Sequence, residues 1–308
     1  MTSPVLSIDG TRLLLDGQPF YFQGLSFFNA IFNPSFNRSD ADRLRWLQAF
    51  QRNGISALRI WCEWDFPPER TFVDTGPTQS LYTPEGDIRE EHWQKLEAIL
   101  TAMRGLGMVA EVTLFVQEKR PYLPVSVQER AARAMAERLL PHRDLILQIW
   151  NEESLEVARY FHAIKSVDPA RLVTNSPGIA NVLGDEDQNR MLDLLTPHTV
   201  RHSTEPFWEV APRQIAALLD RFAKPVIDDE PARTGIVQYG GIEGGTRPEQ
   251  HIAQIIAVRG LGAYHTYHHD MFQRPYGDPA TPPEGLPNPD FSPFHRQVFD
   301  YLHDHRTW

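Results

Sequence analysis

Eight short apolar runs, each followed by a loop and a stretch of helical periodicity, constrain this chain's fold more than any other feature of its sequence. They are Phe20 to Leu25, Ala57 to Trp61, Val109 to Phe115, Leu145 to Trp150, Leu172 to Asn175, Leu192 to Thr196, Pro225 to Asp228 and Gly262 to Tyr267. Runs this short and apolar are of strand length. Between them apolar residues recur three and four apart, as at Leu44, Leu47 and Phe50, or at Trp93, Leu96, Ile99, Leu100 and Met103. That spacing lines one face of a helix. Gly54, Gly107 and Gly260 follow helical patterns and precede strands, where a left-handed C-terminal cap favours a residue without Cβ.

Alternating strand and helix gives α/β architecture with parallel strands. Eight such units in 308 residues suit a closed (β/α)8 (TIM) barrel better than an open doubly wound sheet, and no GxGxxG follows the first strand. Ahead of it, Asp9-Gly10 and Asp16-Gly17 flank Leu13-Leu14-Leu15, the pattern of an N-terminal β-hairpin within residues 1–19. The Pro- and Gly-rich stretch from Tyr276 to Pro293 reads as a long loop after the eighth strand, so the expectation is one domain over residues 1–308.

Charge and cysteine content narrow the function. The formal net charge is −10 and no Lys/Arg-rich run occurs, which argues against a nucleic-acid partner. Cys62 is the only cysteine, so neither an intrachain disulfide nor an all-cysteine metal site can form. The first ten residues lack the pattern of a secretory signal, and no apolar run reaches the ~18 residues of a membrane span. A cytoplasmic chain with no membrane partner is expected; net charge specifies no oligomeric state.

In a (β/α)8 barrel the active site lies where the strands end, so polar residues closing an apolar run are the candidates. Leu145-Ile-Leu-Gln-Ile-Trp150 runs into Asn151-Glu152-Glu153 on the fourth strand, and Pro225-Val-Ile-Asp-Asp-Glu230 ends the seventh. Two carboxyl groups facing each other across the mouth suit glycosidic hydrolysis through a covalent intermediate, which needs them about 5–5.5 Å apart. Glu153 competes with Glu152 but fits better as the start of the next helix. Asp228 and Asp229 compete with Glu230, but strand alternation makes them a supporting shell.

Ile149-Trp150-Asn151-Glu152 and Ile227-Asp228-Asp229-Glu230 resemble glycoside hydrolase clan A, with cellulase-like family 5 enzymes the nearest group. Leu15-Asp16-Gly17-Gln18-Pro19-Phe20, Gln23-Gly24 and Leu58-Arg59-Ile60-Trp61 resemble the first two strands of such enzymes. The resemblance implies a retaining hydrolase of β-linked glycosides that needs no cofactor or metal and has a carbohydrate as partner. Glu152 would be the acid/base, Glu230 the nucleophile, Asn151 a ligand of the sugar 2-hydroxyl, and Arg59 the cation keeping Glu230 ionised. His198 resembles a family histidine, but Val200 stands where a tyrosine contacting the nucleophile is usual. The third strand ends in Gln117 without the usual histidine, and the eighth has no tryptophan.

Other candidates for substrate binding carry an equally plain structural reading. The loop Phe27-Phe28-Asn29-Ala30-Ile31-Phe32, with Asn29, is either a sugar rim or apolar cover, and Trp61 and Trp64 are stacking candidates. His268 and His269 would line a sugar pocket. Alternatively, His265, His268, His269 and Asp270 with Glu230 and Asp228 would be the ligands of a metal-dependent sugar isomerase or hydrolase. A carbohydrate-binding barrel without catalysis is the third reading.

Overall fold

The computed structural model describes residues 4–65, 76, 78–117, 121–200, 204–232, 247–268 and 293–306. An antiparallel ribbon comes first: β1 (Leu6–Asp9), β2 (Arg12–Leu15) and β3 (Gln18–Pro19). The barrel follows as β4 (Gln23–Ser26), α1 (Asp40–Arg52), β5 (Ala57–Trp61), α2 (Glu90–Gly105), β6 (Val109–Val116), α3 (Val125–Arg138), β7 (Leu145–Asn151) and α4 (Val157–Val167). It continues with β8 (Leu172–Thr174), α5 (Glu186–Met191), α6 (Phe207–Phe222), β9 (Ile227–Asp228), α7 (Pro248–Gly260), β10 (Tyr264–Tyr267) and α8 (Pro293–Asp304). The parallel sheet runs in the order β8-β7-β6-β5-β4-β10-β9, the curled sheet of a (β/α)8 fold.

The sixth expected strand, Leu192 to Thr196, forms no ladder. It is an extended segment joined to its neighbour by a single bridge, Leu195 to Val226. The cause is local: the Asp193 carboxylate, not a backbone carbonyl, accepts from Val173 N at 2.8 Å, and Pro197 has no N–H to extend the pairing. The segment still closes the circle, since Asp193 N donates to Val173 O, Leu195 N to Pro225 O and Ile227 N to Leu195 O. Gly260 also departs from expectation. It is the last residue of α7, and Gly262, at φ +76, takes the left-handed position. Gly54 does cap as expected at φ +84, and a Cβ there would strike the Leu302 carbonyl of α8.

Two apolar layers hold the fold. Helices pack on the outside of the sheet; on α1, Ser39 caps the first turn and Trp46 and Phe50 pack against Phe27. A smaller cluster fills the barrel floor with Phe22, Ala57, Val109, Ile146, Leu194, Ile227 and Tyr264, and Leu6 and Leu13 of the ribbon plug it from below. Leu13 N donates to the Tyr264 hydroxyl at 2.7 Å, fixing that plug. Above the floor the buried interior turns polar, with Arg59, Glu111, Gln148, Thr174, Thr196, Asp229 and Thr266. Among the described residues no helix is long and apolar enough to cross a membrane.

Three residues apart, His265 on β10 and His268 just past its end go opposite ways. His268 enters the barrel mouth, whereas no charged group perturbs His265, and burial alone pushes its pKa down from 6.5 to about 3. Between those two pH values the unfolded chain binds a proton that the folded one does not. This contribution to stability is therefore fully present above pH 6.5 and is lost on acidification towards pH 3. His265→Leu is expected to flatten stability against pH across that window by up to ~1.4 kcal/mol per pH unit, read by urea unfolding at several pH values. An unchanged slope would show that another group carries the acid sensitivity.

Candidate active site

β7 delivers its carboxylate through a backbone departure. Glu152 follows Asn151 at φ +55, a left-handed conformation costing a non-glycine residue about 1–2 kcal/mol. Asn175 steadies this turn by accepting from Trp150 N at 3.0 Å and donating to Glu153 O at 3.0 Å. The Glu152 carboxylate then lies between Gln117, whose Nε2 donates to Oε2 at 3.1 Å, and His198, whose Nδ1 is 3.1 Å from Oε1. Glu153 instead accepts from the Tyr122 hydroxyl at 2.8 Å and from Ser154 N. It does not open the next helix, as the sequence suggests; α4 starts at Val157 after Glu156.

Glu230 comes from beyond β9. Arg59 Nη1 on β5 donates to its Oε2 at 2.7 Å, and His268 Nε2 is 3.5 Å from Oε1. One carboxylate oxygen of Glu152, one ring nitrogen of His198 and one carboxylate oxygen of Glu230 all lie within 4.8 Å of one another. The two carboxyl groups thus converge across the mouth, with an oxygen of each within 4.8 Å of the other.

Beneath the pair, buried Arg59 is the hub. Besides Glu230 it reaches Asp229 Oδ2 at 3.0 Å, Gln148 Oε1 at 2.7 Å and Asn151 Oδ1 at 2.7 Å. Asp229 is therefore no partner on the opposite face: β9 ends at Asp228, alternation stops there, and Asp229 and Glu230 share one guanidinium. Both aspartates still support the site: Asp229 binds Arg59 and Gln148 from within, and Asp228 is turned outward to accept from Thr199 at 2.7 Å and from Gln254 of α7. Gln148 Nε2 donates to both Glu111 Oε1 and Asp229 Oδ2 at 2.8 Å. Burial first, then the charge of Asp229, pushes the Glu111 carboxyl well above its usual range. Asp229 is held below its own, because Arg59 and His198 outweigh its burial. The shift at Glu111 favours its protonated form beside the charged Asp229.

Removing the hub leaves two buried carboxylates uncompensated. Arg59→Met is expected to lower stability by about 3–5 kcal/mol, measured by urea unfolding at neutral pH. A loss below about 1 kcal/mol would show that the network does not depend on its cation.

Burial alone would lower the His198 pKa, but the carboxylates of Glu230, Asp229 and Glu152 outweigh it and raise it. His198 thus bridges the pair as a cation-prone group, with Nδ1 on Glu152 and Nε2 3.6 Å from Glu230 Oε2.

The remaining candidates divide. Asn151 is inside the network through Arg59. Trp61 stacks on Phe28 with ring centres 4.0 Å apart, and Arg59 lies 5.8 Å from its ring, so it walls the site with one face covered. Trp64, fully buried and 5.8 Å from Trp61, offers no exposed platform. Asn29 is buried at the start of a turn, its carbonyl accepting from Phe32 N and Asn33 N, so this loop is mainly cover. His269 and Asp270, and the loop from Tyr276, lie outside the described residues. Of the metal cluster anticipated around His265, His269 and Asp270 lie outside the described residues and His265 faces away from the mouth; the three groups able to hold an ion among the described residues are Glu152, His198 and Glu230. Gln117 and Ser26 are contacts the sequence reading missed. A cavity of about 620 Å³ lies apart from these groups, between Phe32, Asn33 and Pro34 and the start of α2 at Glu90 and His92.

Compared by sequence, the chain matches no family profile and no curated protein. Its fold does match solved structures. A family 5 glycoside hydrolase from Bacteroides vulgatus superposes with a TM-score of 0.67 at 16% identity, over 88% of this chain and 62% of that one. An endo-1,4-beta-mannanase from Rhizomucor miehei gives 0.66 at 14% identity, over 98% and 99%. An exo-beta-1,4-mannosidase from an Opitutaceae bacterium gives 0.64 at 15% identity, over 97% and 62%. The chain thus spans less than two thirds of the Bacteroides and Opitutaceae proteins and nearly all of the Rhizomucor one.

Proposed function

We propose that this chain is a retaining glycoside hydrolase cleaving a β-linked glycoside or oligosaccharide, working as a single catalytic barrel without a cofactor. The observation that carries this is the convergence of Glu152 and Glu230 within 4.8 Å in different settings: Glu230 is tied to the Arg59 guanidinium, Glu152 to the neutral amide of Gln117 and to the titratable imidazole of His198. A carboxylate beside a guanidinium stays ionised, as a nucleophile must. One not paired to a fixed cation can cycle its proton, as an acid/base must.

In the first step an oxygen of Glu230 attacks the anomeric carbon while the bond to the leaving oxygen breaks and Glu152 delivers its proton to that oxygen. In the second, Glu152 takes a proton from water, the water oxygen attacks the same carbon, and Glu230 departs as a carboxylate. Two inversions give net retention. Glu111 and Asp229 hold Arg59 in place throughout, and Asn151, fixed by Arg59, is the group proposed to meet the sugar 2-hydroxyl.

A screen of aryl β-glycosides, beginning with β-mannosides because two matched structures are a mannanase and a mannosidase, tests this reading. Proton NMR of the first-formed sugar is expected to show the β-anomer; an α-anomer as first product would rule out double displacement. The grouping of Glu152, His198 and Glu230 keeps a metal-dependent reading in view, but Arg59 at 2.7 Å from Glu230 opposes a divalent cation there. Activity unchanged by chelation is expected.

A further inference from the structure

Each oxygen of Glu230 faces a different side chain: Arg59 Nη1 stands 2.7 Å from Oε2, and His268 Nε2 stands 3.5 Å from Oε1. His268 is fully buried just past β10, and its other nitrogen, Nδ1, is 3.2 Å from Ser26 Oγ at the end of β4. The Phe28 ring, 5.7 Å away and tilted 44°, packs beside the imidazole. The Val200 N–H donates to Gln214 Oε1 at 2.9 Å, and the valine side chain has no hydroxyl to offer Glu230.

We propose that His268, with its tautomer set by Ser26, is the positioning residue of Glu230, aiming Oε1 as the attacking oxygen and stabilising the carboxylate as it leaves the sugar. This rests on the hydrolase reading above. A carboxylate only accepts, so the facing nitrogen, Nε2, carries the proton. The Ser26 hydroxyl then donates to Nδ1 and fixes that tautomer. Arg59 anchors Oε2, which remains the carbonyl oxygen when Glu230 is esterified; Oε1 becomes the ester oxygen bonded to the anomeric carbon. The ester oxygen is the poorer acceptor. The Nε2–H bond is therefore strongest when the carboxylate is free, and it stabilises the departing charge as the glycosyl-enzyme breaks down. A distance of 3.5 Å is long for such a bond in the free chain, and catalytic hydrogen bonds tighten as the reaction proceeds.

The role predicts a split between kinetic constants that loss of packing would not produce. With an activated aryl glycoside, His268→Phe is expected to lower kcat about 10- to 100-fold, the effect of losing one hydrogen bond to a charged group. KM should fall with it, and a burst of aglycone should mark accumulation of the glycosyl-enzyme. His268→Gln, which returns an N–H near the Nε2 position, should recover most of the lost kcat. If His268→Phe does not fold, Ser26→Ala carries the test, with a smaller loss of kcat in the same direction. Parental kcat and no burst in the folded variant would overturn the proposal while leaving the hydrolase reading intact. Failure of the parent to form any adduct at Glu230 would overturn both.

Discussion

Glu230→Ala is expected to abolish hydrolysis, with kcat/KM falling on the order of 10⁴- to 10⁶-fold, because no other described group is placed to attack the anomeric carbon. His198 is held between Glu152, Asp229 and Glu230, and Asp229 lies deeper, bound to Arg59, Gln148 and Ser176. Neither can substitute. Folding should survive, because Arg59 keeps Asp229, Gln148 and Asn151 as partners when the Glu230 carboxylate goes. Glu230→Gln separates charge from shape: it leaves an oxygen for Arg59 yet removes the nucleophile, so the same loss is expected with near-parental stability. Initial rates on the best aryl glycoside, with urea unfolding as the control, make the measurement. More than about 10% of parental turnover in either variant would remove Glu230 from the mechanism.

Glu152→Ala should cost activity according to the leaving group. For a sugar or alkyl aglycone, whose departing oxygen needs a proton, the loss should be about 10²- to 10⁴-fold, the usual worth of a positioned acid. For a dinitrophenyl aglycone the first step needs no proton and should persist. The second step still lacks its base, so the intermediate accumulates and KM drops. Added azide, a nucleophile that needs no deprotonation, should restore turnover and yield a β-glycosyl azide. Glu153→Ala serves as the comparison, since that carboxylate is occupied by Tyr122 and Ser154 and should leave the rate close to parental. Equal losses for both aglycones would show that Glu152 acts on something other than the leaving group.

What the sequence disclosed and what it hid follow from range of interaction. Patterning of short apolar runs is local, and it located β5, β6 and β7 within a residue at either end. The carboxylates were legible because each closes such a run. The sixth strand was misread because Leu192 to Thr196 has the composition of a strand, while the Asp193 side chain takes the place of a ladder carbonyl, which composition does not express. Gly260 was read as the cap, and the left-handed residue is Gly262, because helix ends are set by the capping bond, not by where the apolar period fades. The polar layer under the site was visible only at Arg59 and Asp229: Glu111 sits in Val109-Ala-Glu-Val-Thr-Leu-Phe115 as one acid in an apolar run, and its raised pKa comes from burial and from the charge of Asp229 on another strand. Gln117 was noted as a departure from the resemblance, and it proves to hold Glu152; its signal was its place one residue beyond β6. For the aromatic loop and Trp64 the sequence left rim and cover open, because only the fold shows that their rings pack on one another.

Trapping the covalent intermediate tests the central claim most directly. A 2-deoxy-2-fluoro-β-glycoside with an activated aglycone, incubated with the intact protein and followed by mass spectrometry and peptide mapping, should add one fluoro-sugar on Glu230. The same treatment of Glu230→Gln should add none. An adduct on any other residue, or inactivation of the parent by chelation without any adduct, would contradict a mechanism in which Glu230 attacks while Glu152 trades the proton.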